Sequence, residues 1–401
     1  MLKRLKAGMA NAMLVVVTLV ITYAIGEVVF FRFALPHLSL TLRTFLAEKP
    51  DFFLQNSKDH YIPQDYIALV GDSYAAGLGD WLLSTGDKKD KPFHSANVIH
   101  DVLKRDVATF GRAAAGSAEA MVQRIARLMA DDTCYLFPSI PEPSRFLVYV
   151  YEGNDIDDNI FLLQWDVKPT RPDIGPELDA FLENTYAAPV RWRCHAAFGD
   201  FIFKLARYAI KYAWRNPGVI DRKGNVNEIT IAGRTIGTPE LNVPSLGLSD
   251  AQVDTAVTVY EHSLAWFRRR FPDIPTTVVY IPSPSVVYRF PSGEVSADMV
   301  YFPDAPGGPN DRYKSFIKYP AAQAYAASQK ICEKMRAVTL KAGAGFIDAR
   351  PTLRKRAAET TIHGPRDWGH LNEQGYRALG TMLAKRIDEK PADACDDTWP
   401  Q

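Results

Sequence analysis

Three side-chain types that together perform acyl transfer recur here at informative places. Ser73 closes Gly71-Asp72-Ser73, and Asp367 precedes His370 by three residues in Asp367-Trp368-Gly369-His370. A serine hydroxyl is a poor nucleophile until a neighbouring base takes its proton. An imidazole is such a base, and a carboxylate beside it orients the ring and stabilises its protonated form. If residues 367–370 form one helical turn, the carboxylate and the imidazole share a side. Gly71, Ala75, Ala76 and Gly77 surround Ser73 with small residues, leaving room for a substrate carbonyl. His363 is a rival base, without a carboxylate three residues before it.

An attacked carbonyl also needs donors for its developing negative charge. Asn154, in Gly153-Asn154-Asp155, offers a side-chain amide. Backbone N–H groups at the start of the helix after Ser73 are further donors, and the small-residue loop Gly111–Gly116 allows close backbone approach to a ligand. Taken singly, each motif also reads as an ordinary turn or helix cap. Asp155, Asp157 and Asp158 lack the spacing of a calcium loop. No GxGxxG or GxxxxGK[ST] follows a strand, so a nucleotide site is not indicated.

These motifs need elements to hold them. Short apolar runs at Tyr66–Val70, Val107–Phe110, Arg145–Tyr151, Thr276–Ile281 and Ala344–Ile347 read as buried strands. Helical spacing marks Ala96–Leu103, Glu119–Met129, Phe201–Trp214, Asp250–Phe271, Ala321–Lys341 and Gln374–Ile387. The pattern predicts an α/β fold: a three-layer, flavodoxin-like parallel sheet of about five strands with helices on both faces. Three of the motifs sit just past strand ends, where such sheets place their sites. Residues 161–275 exceed any simple crossover and predict an inserted subdomain, with a hairpin or loop at Gly224–Gly247. Its Trp165, Trp192, Tyr208, Tyr212 and Trp214 suit either sugar stacking or a core.

The N-terminus speaks of location. Lys3, Arg4 and Lys6 precede an apolar run from Ala7 to Ile25, which resumes after Glu27. That length spans a bilayer, and the basic cluster favours a cytoplasmic N-terminus. A cleavable signal ending at Ala24-Ile25-Gly26 is the alternative; the length of the run favours an uncleaved anchor. The expected layout is a cytoplasmic tip and transmembrane helix (1–33), a juxtamembrane linker with a short helix at Leu38–Leu46 (34–62), a catalytic domain (63–390) and a flexible tail (391–401) unless Cys395 is held. The domain would face the periplasm or exterior. Formal net charge is +1 over 401 residues, which gives no reason to expect a nucleic-acid partner. Cys134, Cys194, Cys332 and Cys395 form no CxxC pair, and an exported domain permits disulfides in any of three full pairings.

The ordered set resembles the SGNH/GDSL hydrolase superfamily over roughly 66–387, the insertion aside. Gly71-Asp72-Ser73-Tyr74-Ala75-Ala76-Gly77 resembles its first block, Glu152-Gly153-Asn154-Asp155 its third, and Asp367-x-x-His370 its fifth. Gly345-Phe346-Ile347-Asp348 and Asn372-Glu373-Gln374-Gly375-Tyr376 also fit that family's last third. The resemblance implies Ser73 as nucleophile, His370 as base and Asp367 as its partner. It implies an oxyanion hole from the Ser73 N–H, a second-block N–H (Gly116 or Ala114) and the Asn154 amide. Two departures stand out: the second block has Gly111 where an asparagine is usual, and the third begins with Glu152. The expected activity is a serine esterase on an acyl or acetyl ester of a glycan or lipid, with no metal or cofactor. O-acyl transfer to a polysaccharide and a silent anchored binding protein are the alternatives. Protein partners are left open.

Overall fold

The computed structural model describes residues 2–43, 46, 48–80, 91–130, 138–188, 197–214, 225–298, 300–301 and 317–399. Its centre is a five-stranded parallel sheet built from β1 (Ile67–Val70), β2 (Val107–Thr109), β3 (Arg145–Tyr151), β7 (Thr276–Ile281) and β10 (Gly345–Asp348). The spatial order is β2-β1-β3-β7-β10, the flavodoxin-like order. The registers Ile67↔Val107, Ile67↔Arg145, Phe146↔Thr276 and Gly345↔Thr277 align all five C-terminal ends along one edge. The architecture is the expected α/β one.

Alternation along the strands sends side chains to two cores. Val70, Val148, Val150, Val278 and Phe346 face one side, against helix Asp250–Arg270. Leu69, Leu147, Tyr149, Val279 and Ile347 face the other, against helices Ser95–Leu103, Arg350–Glu359 and Glu373–Arg386. Both faces are covered, as the near-continuous apolar strands require.

The insertion carries the hairpin β4 (Asn227–Ile231) and β5 (Arg234–Thr238). Its last strand, β6 (Leu241–Asn242), joins β8 (Glu294–Asp298) and β9 (Ile317–Pro320) in a small separate sheet. Isolated short strands carry little periodic signal, so this sheet went unforeseen. Helix Asp155–Leu162, directly after the third motif, was likewise unforeseen; three of its first four residues are acidic, which suits a helix N-terminus.

Among the described residues, Cys332 and Cys395 form a disulfide. Cys134, Cys194 and Trp192 lie outside the described residues. The expectation of a flexible tail held only if Cys395 were free; Cys395 is held here, and residues 391–399 are placed with it. Phe346 N–H donates to Pro391 O (2.8 Å) and Asp393 N–H to Phe346 O (3.1 Å), so the segment runs beside β10. Arg386 adds two bonds to the Asp393 carboxylate.

At the N-terminus, α1 (Leu2–Val29) contains the start of an apolar stretch, Gly8–His37, reaching a mean hydropathy of 2.4. By length and composition it can cross a membrane. Its side chains are exposed from Gly8 to Ile25, which a core helix would not allow. Glu27 interrupts the apolar run, and its carboxylate is buried against Phe198 N–H (3.0 Å) and Gly199 N–H (3.1 Å). The predicted Leu38–Leu46 helix is instead a 3-10 turn, Leu35–His37, and a single turn, Leu40–Arg43.

Candidate active site

Ser73 begins a one-turn helix, Ser73–Ala76, at the C-terminal end of β1. Gly71 makes the sharp entry possible: its φ is 154°, and a Cβ there would meet Tyr149 Cβ at 2.9 Å. Asp72 caps the turn by accepting from Tyr74 N–H at 2.8 Å. Ser73 Oγ lies 2.9 Å from His370 Nε2 and 3.1 Å from Asp72 Oδ2. One hydroxyl proton cannot serve both acceptors at full strength, so the two compete for it.

His370 Nδ1 lies 2.7 Å from Asp367 Oδ2. The pair does not sit on a helical turn, as the spacing alone suggested. Residues 367–370 form a bend in which Asp367 Oδ1 accepts from Gly369 N–H at 3.0 Å. Burial pushes the Asp367 carboxyl up, but the His370 hydrogen bond and charge, with the Gly369 N–H, outweigh it and hold the group below its ordinary value. A charged Asp367 is what an imidazole base needs beside it.

Several distant groups fix this bend. Asp80 Oδ1 accepts from Arg366 N–H (2.6 Å) and Asp367 N–H (3.1 Å). Tyr74 Oη donates to Gly369 O at 2.8 Å, and Tyr151 Oη to the same carbonyl at 3.4 Å. Asn372 then caps the last helix, accepting from Gln374 N–H at 2.9 Å. Asp80, Tyr74 and Tyr151 had no sequence signal for this role, since their partners lie more than two hundred residues away for each.

His363, the rival base, is buried elsewhere. Its Nδ1 meets Tyr288 Oη at 3.1 Å, and burial pulls the imidazole down to about 3. His94 is a further buried imidazole, with Nε2 at 3.2 Å from Tyr74 O in the Ser73–Ala76 turn.

Asn154 stands at the start of helix Asp155–Leu162. Its Nδ2 donates to Asp158 Oδ2 at 3.2 Å, and its buried Oδ1 has no partner. One amide proton is thus committed to Asp158, leaving the second to donate elsewhere. Glu152, just before this motif, has a structural role. Its carboxylate is fully buried and accepts from Ser283 N–H (2.8 Å), Ser283 Oγ (2.9 Å), Ser328 Oγ (2.6 Å) and Tyr280 Oη. It ties the end of β3 to the end of β7 and faces away from the site.

The second loop also differs from expectation in part. Gly111 approaches protein rather than open space: a Cβ there would lie 2.1 Å from Ala76 N. The loop is further joined to the first motif by Arg112 N–H to Gly71 O (3.2 Å). Gly116 is buried against Asp158, the carboxylate that holds Asn154. Ala114 is exposed with φ of 55°, a strained value for alanine. Ala114 and Gly116 edge a cavity of about 230 Å³, whose wall includes Glu119, Asp158, Trp165 and Tyr186.

Two buried carboxylates, Asp72 and Asp155, are close enough for their charges to interact. Burial pushes Asp72 up to about 6, against the Tyr74 N–H and the His370 charge. Burial, reinforced by the Asp72 charge, pushes Asp155 well above its ordinary value, although it accepts from Tyr151 N–H at 2.9 Å.

No family model matches the chain, and no curated protein matches it. Solved structures do. Phospholipase A1 from Streptomyces albidoflavus NA297 is 10% identical, with 80% of this chain and 98% of that one covered and a TM-score of 0.34. An extracellular lipase from Streptomyces rimosus is 12% identical over 80% of this chain and 98% of its own, with a TM-score of 0.35. A carbohydrate acetylesterase family member from Sinorhizobium meliloti is 13% identical over 81% and 97%, with a TM-score of 0.28.

Proposed function

We propose that this chain is a membrane-anchored serine esterase acting on an acyl ester. The observation that carries it is the continuous relay Ser73 Oγ, His370 Nε2, His370 Nδ1 and Asp367 Oδ2, with links of 2.9 and 2.7 Å. In this reading Ser73 Oγ attacks the ester carbonyl while His370 Nε2 takes its proton. Asp367 stabilises the imidazolium. His370 then returns the proton to the departing alcohol, leaving an acyl group on Ser73. Water repeats the sequence, its proton passing to His370 and back to Ser73. The Ser73 and Gly116 N–H groups and the free Asn154 amide proton stabilise the oxyanion, with the Ala114 N–H as the alternative to Gly116. The catalytic domain lies on the side of the membrane away from the basic N-terminus.

The cavity beside Gly116 favours a second acceptor besides water. Its Glu119, Asp158, Trp165 and Tyr186 combine hydrogen-bond acceptors with aromatic faces, which suits a hydroxyl-rich ligand such as a sugar. Transfer of the acyl group from Ser73 to a sugar hydroxyl would use the same relay. The full chain in detergent should release alcohol from a short-chain activated ester, and Ser73→Ala should not. Equal rates for the two would remove Ser73 as nucleophile. Acetylated sugar formed in place of free acetate would select transfer over hydrolysis.

A further inference from the structure

The helix Ala197–Trp214, here α5 in chain order after α2 (Ser73–Ala76), α3 (Ser95–Leu103) and α4 (Asp155–Leu162), has three faces rather than two. Phe198, Phe201 and Leu205 turn toward the protein core. Asp200, Lys204 and Arg207 form a charged stripe, with Lys204 Nζ 2.7 Å from Asp200 Oδ2. The third face is apolar and uncovered. Ile202, Ala206 and Ile210 follow at intervals of four, with Phe203 alongside. Ile202 is 44% exposed, Ile210 62% and Phe203 67%. Burying none of these costs stability in water, so the face is built for another medium.

The position of α5 says which medium. Its first turn is fastened to the end of α1: Glu27 accepts from Phe198 and Gly199 N–H, and Phe30 packs at 5.4 Å from Phe198 and 5.2 Å from Phe201. From Gly8 to Glu27, α1 rises about 30 Å, the thickness of a hydrocarbon core. A span that begins at Gly8 therefore leaves the hydrocarbon near Glu27. Val20, Ile21 and Ile25 of α1 stay exposed, so α5 departs from α1 at this level instead of running back along it. An amphipathic helix with a cationic flank, held at that depth, matches an in-plane interfacial helix.

We propose that the Ile202–Phe203–Ile210 face of α5 lies in the bilayer interface of the leaflet where α1 ends, docking the domain on the membrane at a second point. This rests on the anchored reading of α1. The test uses the full chain in phosphatidylcholine–phosphatidylglycerol vesicles, with photoreactive benzoylphenylalanine replacing Val17, Phe203 or Arg207 in separate preparations. Lipid adducts are expected at 17 and 203, with about tenfold fewer at 207 on the charged stripe. Adducts at 17 but not at 203 would overturn the docking and leave the anchor standing. So would crosslinks from 203 to a second copy of the chain, which would make this face a self-association surface. Lipid-free α1 at position 17 would overturn the anchor itself, and the docking with it.

Discussion

The region around His370 and the region around Asn154 are built differently. On the His370 side, the functional groups are tied by bonds arriving from remote elements: Asp80, Tyr74 and Tyr151 all grip the 366–370 bend. On the Asn154 side, the amide rests on one bond to Asp158, and the adjoining loop edges an open cavity. The contrast separates two demands of acyl transfer. On the proposed reading, a relay whose hydrogen bonds are already in place has less to reorganise when substrate arrives. On the same reading, Asn154 keeps one amide proton for a developing charge, and the Ala114–Gly116 loop borders the cavity.

The largest expected effect tests the rigid side. Ser73→Ala or His370→Ala should lower turnover by roughly four orders of magnitude or more, measured as ester hydrolysis with substrate affinity retained. Retained turnover in either variant would end the relay assignment. On the open side, Asn154→Ala should cost about a hundredfold in kcat with little change in KM. A loss in KM alone would make Asn154 a binding residue. Gly116→Ala crowds Asp158 Cβ at 2.9 Å and should cost about tenfold in kcat through displacement of its N–H. Unchanged kcat would hand the donor role to Ala114. The smallest effect concerns Asp72. Asp72 is raised from 3.8 to about 6 in the fold, so the stability that its protonated form contributes is complete below about 3.8 and lost as pH rises through about 6. Asp72→Asn should therefore raise the melting temperature at pH 7.5 relative to the parent, with the gain shrinking as pH falls from 6 to 4. A gain independent of pH would show that Asp72 is already charged in the fold without cost.

Much of the frame was legible because it is local. Strand Arg145–Tyr151, strand Thr276–Ile281 and helix Ala321–Lys341 begin and end where their apolar patterns do. Asp367 and His370 were readable as a pair since three residues separate them, although a bend rather than a helical turn brings them together. The second motif misled in part. A glycine needed for close approach looks the same in sequence whether the neighbour is a ligand or, as for Gly111, the backbone of Ala76.

The sequence by itself determined the strands, the apolar N-terminal helix and the chemical types available, because periodicity and short spacing act within a few residues. Only the tertiary structure decided that Ser73 meets His370 across 297 residues, and that Asn154 leans on Asp158. It also decided that Glu152 turns into the core, that Cys395 joins Cys332, and that Glu27 caps a helix 171 residues away. These are partnerships between chain segments with no local code. Those at Ser73 and Glu152 exist because the parallel sheet gathers its strand ends on one edge, and a side chain's partner there is set by which strands are neighbours rather than by what lies next in the chain.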